Sequence, residues 1–75
     1  MVTKKQYDEL KCMFKVANAN LWSSNKNRFM FVGTDKEADA LAEYAEARGS
    51  YYQLCDVIRL ILGERVLNTF IAEFN

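Results

Sequence analysis

The chain has no histidine, only two cysteines and only three glycines in 75 residues, and each shortage closes a route to function. Without histidine, the side chain that most readily exchanges protons near neutral pH is missing. With two cysteines and no histidine, a tetrahedral zinc site of the usual kind lacks ligands. Cys12 and Cys55 are far apart and form no Cys-x-x-Cys pair; they read as small buried thiols in a reducing compartment, with a disulfide between two helices as the alternative. Gly33, Gly49 and Gly63 each stand where a helix or strand would end, so none is left for a phosphate-binding loop. No serine sits in a strand-to-helix elbow. Asp39 and Glu43, four apart, could hold magnesium, but on an alanine-rich helix they read as part of a solvated face. We therefore expect no enzyme, no cofactor, no metal and no small-molecule substrate.

Long hydrophobic runs are also missing. None approaches the roughly 18 apolar residues of a membrane span, and the N-terminus leads into charged sequence, so a soluble, cytoplasmic protein is expected. What is present is core-forming material: 51% of residues are apolar and 13% aromatic, too apolar for a disordered chain and short enough for one domain, residues 1–75. A chain this short orders its backbone against a small core, so a partner chain is a natural supplement.

The net charge is zero, yet its distribution is uneven. Residues 1–28 carry six basic side chains against two acidic, residues 29–49 two against five, and the remainder two against three. A basic front is followed by an acidic middle.

The most apolar stretch, Ser50 to Gly63, organises the rest. Tyr51, Leu54, Ile58, Ile61 and Leu62 recur at helical spacing, Ser50 and Gln53 have the form of a capping box, and Gly63 is a left-handed stop. A first helix is expected from Thr3, where Thr3 and Gln6 form another capping pair and Tyr7, Leu10, Phe14, Ala17 and Leu21 make a continuous stripe. The polar run from Trp22 to Asn27 reads as a connection. Arg28 to Gly33 is either a short helix or a strand paired with residues 14–22. Thr34 to Glu37 again resembles a capping box, opening a helix that Gly49 would close. The last segment, Glu64 to Asn75, carries Val66, Leu67, Phe70, Ile71 and Phe74 at helical spacing. The expected fold is mainly α, a small bundle of four to five helices; the alternative is α+β, with a short hairpin around residues 14–22 and 28–33.

Three surfaces are candidates for function. Asp35, Asp39, Glu43 and Glu46 make a carboxylate row with no cation at the intervening four-residue positions. That row is mildly unfavourable unless something basic faces it, either Lys4, Lys11 and Lys15 of the first helix or an external partner. Phe70, Ile71 and Phe74 form an apolar face that either bends inward at Gly63 or meets another chain, as in a homodimer. Lys4, Lys11, Lys15, Lys26 and Arg28 are candidate phosphate contacts, although the acidic middle would repel nucleic acid. The reading with most support is a non-enzymatic interaction module, an accessory or inhibitor protein covering a basic surface of a larger partner through its acidic helix. The alternative is a nucleic-acid-binding or regulatory protein using the lysine-rich first helix.

Overall fold

The computed structural model describes residues 2–75. Among them the chain forms three helices, α1 (Lys4–Met30), α2 (Glu37–Ile61) and α3 (Glu64–Phe74), and no strand. The expectation of four to five helices is corrected to three, and the alternative hairpin around residues 14–22 and 28–33 does not form. Both corrections have one cause: two of the sequence's punctuation marks do not stop a helix.

The first is the polar run. α1 begins as expected, with the Thr3 hydroxyl accepting from the Gln6 amide at 3.1 Å and the Gln6 side chain accepting from the Thr3 amide at 3.0 Å. It then continues through Trp22 to Asn27 because that segment packs on α2. The Arg28 guanidinium lies 4.4 Å from the Tyr44 ring centre and 4.6 Å from that of Phe29, and it donates to Asn25 Oδ1 at 2.8 Å. Such stacking offsets the modest helix cost of Asn and Ser, up to about 0.7 kcal/mol each. The chain turns only at residues 31–36, where Gly33 takes φ +80°. Thr34 and Glu37 serve this turn separately: the Thr34 hydroxyl accepts from the Lys36 amide at 3.2 Å, and the Glu37 carboxylate accepts from the Gly33 amide at 3.1 Å.

The second is Gly49, which lies inside α2 with helical backbone and not at a boundary. The acidic helix and the organising helix are thus one element of 25 residues, and the Ser50–Gln53 capping box has no helix start to cap. A Cβ built at Gly49 meets nothing within 4 Å. Gly49→Ala should therefore stabilise the protein by about 0.5–1 kcal/mol, since it removes backbone freedom from the unfolded chain at no steric cost. A thermal melt that stayed level or fell would contradict this account of the position.

Gly63 does act as a stop. Its φ of +95° lets the Leu62 and Gly63 amides both donate to the Ile58 carbonyl, at 2.7 and 3.2 Å, and α3 folds back from there. Phe70 and Leu67 close a core with Phe14, Tyr51, Cys55 and Ile58. Phe14 stands at its centre, with ring centroids 5.4 Å from Tyr51, 5.8 Å from Phe70 and 6.0 Å from Phe74. The end of α3 is tied to α1 by polar contacts: buried Asn18 donates to the Phe74 carbonyl at 3.2 Å, Trp22 Nε1 donates to Asn75 Oδ1 at 3.1 Å, and Lys11 pairs with Glu73 at 3.2 Å. α3 has 11 residues, so it covers only the half of the α1–α2 hairpin near the chain ends. The molecule is a rod of 49 × 18 × 18 Å whose far half is two helices alone.

Candidate interaction face

Opposite α3, the two long helices leave an open groove of about 830 Å³. From α1 it is lined by Glu9, Met13, Val16 and Asn20, at steps of four, three and four residues; Met13 and Val16 are each 54% exposed. From α2 come Ser50, Gln53, Leu54 and Val57, with Val57 36% exposed. These are the spacings of a seam that faces another helix, about 3.5 residues per turn. α3 cannot reach it, because α3 lies on the other side of the core.

The carboxylate row continues this seam. α2 runs unbroken through Gly49, so counting back from Ser50 by four, three and four residues brings Glu46, Glu43 and Asp39 onto the same face. Asp35 sits before the helix, in the turn. All four side chains are exposed. Among the described residues the ion pairs are Lys11 with Glu73 and Arg59 with Asp56, so the row holds no cation of its own chain. The helices run antiparallel, which puts Lys4 at the end of the hairpin away from Asp39 and leaves internal pairing with Lys4, Lys11 and Lys15 unmade. One face of the molecule is therefore mainly apolar in one half, with Glu9 at its outer end, and acidic in the other.

The other sequence candidates are dispersed. Of the basic side chains, Lys4, Lys15 and Lys26 are exposed, Lys11 is held by Glu73, and Arg28 is half-buried between rings. Phe70 is fully buried, with Tyr7 edge-on at 5.5 Å, while Ile71 and Phe74 are half-buried against the same core. Sequence reasoning missed the groove residues Met13, Val16 and Val57. Their signal was present as a second stripe on each helix; on α2 its continuity with the carboxylate row emerges only when Gly49 is read as helical.

No group of three or more metal-ligating side chains converges among the described residues, and no described helix is long and apolar enough to cross a membrane. Cys12 is exposed and Cys55 buried, and both are free thiols. Burial pushes the Cys55 thiol above its ordinary value of 9.0 and the Tyr51 phenol above its ordinary 10.0, with the neighbouring Cys55 adding to the latter shift. Both groups bind their protons more tightly in the folded state. Their contribution is complete below pH 9 and disappears as pH rises through the raised folded-state values. Stability should therefore fall from about pH 9 upward, and Tyr51→Phe should flatten that decline; an unchanged slope in alkaline thermal melts would show that these groups do not govern it.

Comparison with protein-family models, curated proteins and solved structures found no match. The fold is that of a three-helix protein presenting a two-part surface, mainly apolar beside acidic.

Proposed function

We propose that the protein is a non-enzymatic interaction module of the cytoplasm, an accessory or inhibitor protein that covers a basic surface of a larger protein with the acidic half of its open face. The observation that carries this reading is the row Asp39, Glu43 and Glu46, exposed on one side of α2 and without an ion-pair partner among the described residues. Like charges one turn apart repel, and a basic partner turns that cost into affinity. Two free cysteines suit a reducing compartment. The nucleic-acid reading has less support, because Lys11 and Arg28 are engaged within the chain. Self-association through α3 has less support as well, because Phe70 is spent on the core.

The test is binding of a lysine-rich, unstructured peptide to the full chain at low salt, with a single-stranded oligonucleotide alongside. The expected result is peptide binding that weakens steeply with salt and is abolished by Asp39→Lys with Glu43→Lys, while the thermal midpoint holds or rises slightly. Binding that survives this charge reversal, or an oligonucleotide affinity lost on Lys11→Glu with Lys15→Glu, would overturn the reading.

A further inference from the structure

The two halves of the open face share one seam, and that continuity specifies its occupant more narrowly than charge alone. We propose that the face is a docking groove for a single amphipathic helix of a partner protein, with apolar residues along one half of its contact stripe and Lys or Arg along the other. This rests on the interaction-module reading above and names the partner's chemistry.

Three observations carry it. The groove is bordered by two antiparallel helices whose lining residues recur at steps of three and four, the pattern into which a third helix packs. The seam from Val57 back to Asp39 on α2 is about 27 Å long at 1.5 Å per residue, the length of a helix of about 18 residues. Met13, Val16, Leu54 and Val57 offer apolar contact in the half near the chain ends. Beyond Asn20 and Ser50 the α2 side turns acidic, at Glu46, Glu43 and Asp39. A helix lying along the whole seam therefore passes Glu9 at the outer end, then apolar surface, then the three carboxylates of α2.

The same polarity argues against a second copy of the chain. Two copies face to face about a two-fold axis along the rod would set carboxylate against carboxylate. About an axis across the face, each acidic half would cover the other's apolar half, stripping water from charges without pairing them. An anionic lipid surface would likewise be repelled by the acidic half.

The test uses isotope-labelled full-length protein and three peptide probes. One is an amphipathic helical peptide with leucines in one half of its stripe and lysines in the other; the second has glutamates in place of those lysines; the third is the unstructured lysine-rich peptide. The first should shift amide resonances at both Met13–Val16 and Glu43–Glu46, and the second should bind at least about tenfold more weakly. Val57→Asp and Glu43→Lys with Glu46→Lys should each weaken the first complex by about tenfold or more. Val57→Asp, which adds a carboxylate to the face, should not weaken binding of the lysine-rich peptide. Val16→Asp, at a more exposed position, repeats the test should Val57→Asp disturb folding.

If Val57→Asp and Val16→Asp leave the amphipathic peptide bound as tightly as before while charge reversal releases it, the groove proposal fails and the interaction module stands. If neither basic probe binds, both fall. Light scattering that shows a concentration-dependent dimer, dissociated by Val16→Asp, would give the groove to a second copy and overturn the proposal.

Discussion

Phe70→Asp is expected to yield no folded protein of any oligomeric state. Phe70 is fully buried, with Phe14 at 5.8 Å and Tyr7 at 5.5 Å between ring centres. An aspartate there finds no cation among the core residues Phe14, Tyr51, Cys55, Ile58 and Leu67. It must either protonate or draw water into the core, and it also surrenders the packing of the ring, which alone is worth about 3–5 kcal/mol in large-to-small substitutions. A single core in a chain of this size rarely supplies more than about 3–5 kcal/mol in total. The measurement is far- and near-ultraviolet circular dichroism with light scattering on the same sample. A folded monomer would mean that α3 does not close the core and that its apolar face belongs to another chain.

Phe14→Ala should be nearly as severe, for a different reason. Phe14 is the residue at which all three helices meet: it sits on α1 and touches Tyr51 of α2 and both Phe70 and Phe74 of α3. Truncation leaves a cavity ringed by aromatic side chains that cannot collapse without breaking the Asn18–Phe74 and Trp22–Asn75 ties. The expected loss is about 3–5 kcal/mol. Phe14→Leu, which keeps most of the volume, should lose about 1–1.5 kcal/mol and remain cooperatively folded. Denaturant melts of the pair decide the matter. Equal midpoints would place the structural centre elsewhere, and loss of both variants would mean that ring–ring geometry matters more than volume.

The candidate face was half legible from sequence. Asp39, Glu43 and Glu46 stood out as a row because periodicity alone puts them together, and the structure leaves them exposed. Met13, Val16 and Val57 were hidden by their resemblance to core residues. An apolar residue at helical spacing is consistent with either face of an amphipathic helix, and only the position of α3 shows which face is covered. Phe70, Ile71 and Phe74 posed the same ambiguity in reverse, and it was resolved by the backbone of one residue, Gly63.

The sequence by itself determined the helical character of the chain, the capped start of α1 at Thr3 and the stop at Gly63. Each of these rests on local chemistry: a side chain within reach of its own backbone, or a conformation that glycine adopts without strain. Tertiary structure decided the rest. It carried α1 through Asn25 and Asn27, carried α2 through Gly49, turned the aromatic face of α3 inward, and thereby joined the acidic row to the apolar groove. Local helix-breaking signals are worth about 1 kcal/mol or less apiece. Burying residues such as Phe14, Ile58 and Phe70 is worth about 1.5–3 kcal/mol each, and contacts between distant segments therefore override them.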